Sequence, residues 1–276
     1  MSTLAERIVT IYIGNISVEV GKQMWTTGSP LYDMKHFSQS KGKSATLFVK
    51  NNNVSNVMND IIPIIEDVNT LDGFILIGDF DNDLFGEILS ALKEEYQHVS
   101  FLTINIDPEA TRVFKVDRHN RTIFNISNIN NNSDASILLR LDTTIKQVSL
   151  PKNTTRLNDF ILFSKLSNIL QYFIYDTFKS NSLQEFVTAF SSNGPKWGSI
   201  GVHDSDDTKI DEEKRKIYAY ESSCLDFPLA EQKYTTYIKN NNMTLCVSNN
   251  SAMKRFFEKL NFNNELDKVL DEYNLN

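Results

Sequence analysis

What this chain lacks narrows it first. Cysteine is nearly absent: 276 residues carry only Cys224 and Cys246, far apart and without metal-ligand spacing. That usage suits two small core residues in a reducing cytoplasm, not a disulfide framework or a zinc site. No apolar run approaches the roughly eighteen residues that cross a bilayer, and Met1 to Arg7 opens no secretion signal. The expectation is a cytoplasmic protein with no membrane span. Positive charge is also short, with 28 Lys and Arg against 35 Asp and Glu and a net charge of −7. Without a basic stripe, a nucleic-acid surface is excluded as the main function. His36, His98, His119 and His203 have no carboxylate or cysteine at ligand spacing, so no metal site is expected from them.

What is present is ordinary in bulk: 41% apolar and 23% charged residues describe a globular chain, long enough for one domain, or one and a small second. Asparagine is the exception, in runs at 51–53, 130–132 and 240–242, read as turns and loops.

The chain is organised around Gly73 to Tyr96, GFILIGDFDNDLFGEILSALKEEY. Its first five residues form a short apolar run, the pattern of a strand covered on both faces. Ile88, Leu89 and Leu92 then recur at helical spacing, with Asp83 as the expected cap. A strand, a tight loop and a helix is where a nucleotide-binding α/β fold places phosphates, because the helix N-terminus offers free N–H groups and a positive dipole end. Here, however, the loop carries Asp79, Asp81 and Asp83. A phosphate loop wants glycines for close backbone approach, not anions facing an anion. The expected state of these three aspartates is a solvated, capping loop.

Before this stretch, Ile8 to Ile13 reads as a strand ended by Gly14-Asn15, with a helix through Trp25 following at once. This is a second candidate ligand loop. Thr46 to Val49 is a strand and Val54 to Ile65 a helix expected to be interrupted or kinked at Pro63. Val99 to Ile106 and Ser136 to Leu141 are further strands, with loops around Asn125 to Asn132 between them. Leu157 to Tyr175 is the longest helix, apolar on more than one face and so expected between layers. After it come a helix at Leu183 to Phe190, a strand from Trp197, an acidic loop at Asp204 to Asp207, a helix at Asp211 to Ser222, a strand at Thr244 to Val247 and two closing helices. Two tempting motifs fail. Lys41-Gly42-Lys43-Ser44 has Phe37 where a phosphate loop needs its first glycine, and DFDND has Leu84 and Ser90 where a calcium loop needs glycine and glutamate.

The order of elements resembles the tubulin and FtsZ superfamily of cytoskeletal GTPases. LQEFVTAFSSNGPKWGSIGV, from Leu183, resembles the FtsZ pattern F-A-D-V-x-x-I-M-x-x-A-G-x-A-x-M-G-I-G. SILLRLDTTIKQV followed by RLNDFILFSKLSNILQ resembles its strand I-V-I-P-N-D-x-L and long central helix. GNISVEVGKQMW resembles the tubulin run G-Q-x-G-N-Q-I-G-x-x-x-W. The likeness spans roughly Ile8 to Leu229.

The resemblance implies an α/β fold: a mostly parallel, Rossmann-like sheet with helices on both faces, a long central helix, and a reduced α+β second domain. The implied division is 1–155 nucleotide-binding-like, 156–178 central helix and 179–276 reduced C-terminal domain. It also implies GTP or GDP with Mg²⁺ as the family's ligand. The ligand positions fall on Gly14, Asn15 and Ser17 in the first loop, and on Gly78, Asp79, Asp81 and Asp83 where the glycine-rich signature would be. They continue at Asp142 where the family has its guanine-reading asparagine, and at Ser167 or Asn168 on the central helix. In the catalytic loop one family acid falls on Ser182 and the other on Glu185. A micromolar nucleotide is held by about 8 kcal/mol, and a like charge at 4 Å costs roughly 1 kcal/mol in water and about 4 at an effective dielectric of 20. Three carboxylates in place of glycine N–H contacts therefore cancel most of that binding.

Three readings follow. The first is a degenerate member that works through protein contacts, with itself or a filament-forming relative, as a filament partner or regulator. The second is a live, self-polymerising GTPase using Glu185 in the neighbour's site. The third is an unrelated α/β metal-dependent enzyme using the three aspartates. Against these stand simpler roles: Glu185 as a solvated acid at a helix start, and Trp25 and Trp197 as core aromatics.

Overall fold

The computed structural model describes residues 8–26, 45–49, 53–66, 71–107, 116–140, 155–178, 182–192, 195–204, 232–239, 243–250, 257–258, 260–261 and 264–274. Several expectations lie outside these residues: the Lys41 to Ser44 run, His36, Asp142, the helix at 211–222 and Cys224.

The strands are β1 (Ile8–Ile13), β2 (Ala45–Val49), β3 (Gly73–Asp79), β4 (Ser100–Asp107), β5 (Ala135–Arg140), β6 (Trp197–Asp204), β7 (Gln232–Lys239) and β8 (Met243–Asn250). They form one sheet in the order β2-β1-β3-β4-β5-β6-β8-β7. The first six are all parallel, and β8 and β7 extend the sheet antiparallel. The helices are α1 (Asn15–Thr26), α2 (Val54–Glu66), α3 (Asp83–Glu95), α4 (Val116–Asn132), α5 (Thr155–Phe178), α6 (Leu183–Ser192) and α7 (Asp267–Asn274). This is a Rossmann-like α/β fold, as expected.

Strands with both faces covered must be apolar on both faces, and β1 and β3 are buried at every position. Alternate side chains divide the core in two. Val9, Ile11, Phe74, Leu76, Phe101 and Leu138 meet α2, α3, α4 and the C-terminal residues Phe257, Leu266 and Val269. Ile8, Tyr12, Ile75, Ile77, Leu102 and Ile137 meet α1, α5 and α6. Trp197 is fully buried, edge-on to Phe80 and Phe257, a core aromatic as read. The Trp25 side chain lies outside the described set.

Four differences from the sequence reading have physical causes. Asn125 to Asn132 are helical, not loop: Ile123, Ile126 and Ile129 bury one face, and burial outweighs the poor helix propensity of asparagine. The described side chains of α5 bury one stripe, Leu166, Ile169, Leu170, Phe173, Ile174 and Phe178, while Asn168 is exposed. That portion packs on one layer with α1, not on all sides. Strand β7 was not foreseen; Gln232 to Lys239 carries lysines and threonines, as an edge strand does. Finally, α2 runs through Pro63 without interruption.

The crossovers set the geometry of the site. From β1 the chain leaves through α1 on one face and steps to β2. From β3 it leaves through α3 on the other face and steps to β4. The carboxyl ends of β1 and β3 are thus the topological switch point, where open parallel sheets place ligands. The link from β5 to β6 steps in the same direction as those from β3 to β4 and β4 to β5, but crosses on the α5 and α6 face. Its hand is therefore opposite to theirs, and one of the two departs from the usual right-handed rule.

Candidate functional site

At the switch point Ile13 is paired with Gly78, so Gly14 and Asp79 emerge side by side. Gly14 has φ +111°, a region open to glycine, and its carbonyl accepts the first bond of α1 from Val18 N at 3.1 Å. Glycine in that place brings no side chain to cap the helix. Asp79 supplies one from the neighbouring strand. Its Oδ2 accepts from Ile16 N at 2.9 Å, and its Oδ1 accepts from Ser17 N at 2.8 Å and from the Ser17 hydroxyl. A carboxylate with two oxygens thus fills the positive end of α1, the place where a phosphate would be met by N–H groups.

The fit is close. A Cβ on Gly14 would stand 2.5 Å from Asp79 Oδ2, and one on Gly78 would stand 2.5 Å from the Phe85 ring. The space where a phosphate loop's glycines would admit a ligand is taken by a carboxylate on one side and a phenyl ring on the other. Asp79 is buried, 5% exposed. Burial pushes its carboxyl above the ordinary 3.8, with Asp81 adding to the rise, while the bonds from Ser17 and Ile16 offset part of it.

The loop after Asp79 is pinned by the rest of the fold. Phe80 N donates to Ile106 O at 2.8 Å and Asn82 N to Asp79 O at 3.0 Å. Asn125 on α4 is fully buried. Its Nδ2 donates to Phe80 O at 3.0 Å and Asn82 O at 2.7 Å, and its Oδ1 accepts from Gly86 N at 3.1 Å. All its amide atoms are engaged on this one loop and the helix after it. The sequence reading missed Asn125 because it placed the residue in a loop; the Ile123, Ile126, Ile129 spacing was the available signal for a helix.

The three aspartates do not converge. Asp79 is buried and turned to α1, not solvated. Asp81 is half-buried. Asp83 is exposed and pairs with Arg121 Nε at 3.0 Å, a surface contact of little worth. The cap of α3 is Asn82, accepting from Leu84 N at 2.9 Å, not Asp83. Among the described residues, no three His, Cys, Asp or Glu side chains are grouped to hold a metal ion.

Of the other sequence-derived positions, Asn15 is exposed and Ser17 buried beside Asp79. Ser167 is buried on α5 with its hydroxyl unpartnered. Glu185 is exposed; its Oε2 accepts from Ser182 N at 2.9 Å while its own N–H donates to Ser182 Oγ at 2.9 Å. This reciprocal pair is a capping box at the start of α6. Leu183, beside it, lies against Gly73 at the amino end of β3. Glu185 and Asp79 are therefore at opposite ends of a strand about 20 Å long, and one chain does not bring them together.

Fold and site together define a doubly wound α/β protein that meets the helix end at its switch point with its own carboxylate. No protein-family model matches the chain, and no curated protein matches it. No helix among the described residues is long and apolar enough to cross a membrane.

Proposed function

We propose that this protein is a divergent FtsZ- or tubulin-like scaffold without nucleotide turnover, acting through protein contacts as a partner or regulator of filaments. The observation that carries the reading is the Asp79 carboxylate on the first-turn N–H groups of α1. A triphosphate entering there would have to displace a bidentate acceptor and lie beside its charge. At an effective dielectric of 20 and 4 Å that repulsion alone costs about 4 kcal/mol, roughly half of what holds a micromolar ligand. Asn125 adds to the cost, since it fixes the loop that would have to move.

One placement favours a second reading, a live GTPase that polymerises head to tail. Glu185 stands at the end of the sheet opposite Asp79, where an acid serving the next copy's site would be. Its capping bonds to Ser182 give it a sufficient structural task, so we rank this second.

The test is calorimetric titration of GTP and GDP with Mg²⁺ into the purified protein, with phosphate release and pelleting assays alongside. The first reading expects no saturable heat at tens of micromolar nucleotide and no phosphate release. Saturable binding with turnover lost in Glu185→Ala would replace it with the second.

A further inference from the structure

Helix α4 meets the rest of the fold through a polar seam. Six of its seventeen residues are asparagine, a poor helix former. Among the described residues its buried apolar side chains are Ile123, Ile126 and Ile129, while Phe124 stands exposed. Against α3 it sets Asn125 and Asn128 beside Gly86 and Arg121 on Asp83. Against the sheet, Asn130 Oδ1 accepts from Trp197 Nε1 at 2.9 Å. Just past its last turn, the Ser133 hydroxyl donates to Ile129 O at 2.6 Å and meets Ser136 Oγ at 2.9 Å, which in turn meets Thr103 Oγ1 at 2.6 Å. Asn105 and Ser199 flank Leu138 in register and so share the sheet face that α3 and α4 cover. Both are buried, and Asn105 Oδ1 and Ser199 Oγ find no partner among the described residues.

Such a seam opens at low cost. A buried hydrogen bond contributes little net, because water offers the same bonds once the helix leaves. Unlike a substitution, opening strands no group, and it hydrates the two unpartnered oxygens. Three isoleucines hold α4 against this, whereas α3 buries Phe85, Ile88, Leu89 and Leu92. The Asn125 clamp leaves with its helix, releasing Phe80 O, Asn82 O and Gly86 N together. We propose that α4 is a latch: it detaches from the sheet as a unit while the remaining fold stays intact, and its release loosens the Phe80 to Asn82 loop and the first turn of α3. The device acts on the loop at the switch point and operates whether or not a nucleotide binds there.

The experiment is native-state amide exchange on ¹⁵N-labelled full-length protein at several urea concentrations below the unfolding transition. The amides of Ile123, Ile126, Ile129 and Gly86 are expected to share one opening. Their protection should be about tenfold or more below that of Leu76 and Ile104 in the central strands, with a weaker urea dependence. Glu185→Ala separates local from global opening, because α6 lies on the opposite face and stays folded in the opened state. It should speed exchange at Leu76 and Ile104 about threefold and leave α4 and Gly86 unchanged. Equal protection and urea dependence in α4 and the central strands, equal acceleration by Glu185→Ala, or a Gly86 amide that keeps the protection of Leu89 would overturn the proposal.

Discussion

Replacing Asp79 by alanine removes the acceptor of three hydrogen bonds at once and tests whether the carboxylate holds β1, α1 and β3 together. Ser17 is buried, so its N–H and hydroxyl would be left without a partner, at about 1–3 kcal/mol each. The Ile16 N–H is half-buried and can be taken over by water. Against this, the variant no longer buries a carboxylate, which is the cause of that group's raised pKa. The net expectation is a loss of about 2–4 kcal/mol, or about 4–15 °C in Tm for a chain of this size. The freed N–H groups should then accept a small anion. Inorganic phosphate at ten times its dissociation constant would return about 1.4 kcal/mol, in the variant and not in the wild type. Urea unfolding and thermal shift, with and without phosphate, read both effects. A loss below about 0.5 kcal/mol, or equal stabilisation of wild type and variant by phosphate, would refute the reasoning.

The pH dependence follows from the same group. Its folded pKa lies above the unfolded 3.8, so its contribution is fully present below 3.8 and is lost as pH rises through the folded value. Wild type should therefore lose stability relative to Asp79→Asn as pH climbs from 3.8, and urea midpoints showing the opposite slope would contradict this. Asn125→Ala should cost about 2–4 kcal/mol by stranding the buried Phe80 carbonyl and Gly86 N–H and releasing the half-buried Asn82 carbonyl, with faster amide exchange at Phe80 to Asp83. Gly14→Ala should destabilise by more than about 2 kcal/mol, from its positive φ and the contact with Asp79; in an Asp79→Ala background the contact part disappears, so a double-mutant cycle should show coupling. Glu185→Ala should lower stability by about 0.5–1 kcal/mol through loss of the capping box, and Glu185→Gln by less.

Most of the sheet was legible in the sequence because both-face burial leaves an unmistakable mark: Ile8 to Ile13 and Gly73 to Ile77 are apolar without a break. Helices with an ordinary apolar stripe, such as α2 and α3, were equally legible. What failed were segments where tertiary burial overrides composition. α4 is rich in asparagine and polar in mean character, so only its three isoleucines betray a helix. Edge strand β7 lacks the apolar signal that central strands carry. At the site, the position of the acidic loop at a strand's carboxyl end was readable, and its mismatch with a phosphate loop was too. The direction of Asp79 was not, because its partners Ile16 and Ser17 lie more than sixty residues away and meet it only through the pairing of β1 with β3. Solvation of the three aspartates, a sound default for neighbouring acids, held for Asp83 and not for Asp79.

The most direct measurement is a crystal structure of the protein soaked with GTP and Mg²⁺, inspected where β1 and β3 end. The account predicts Asp79 still bonded to the N–H groups of Ile16 and Ser17, with no nucleotide density there. Ordered phosphates on those N–H groups, with Asp79 turned away, would contradict it.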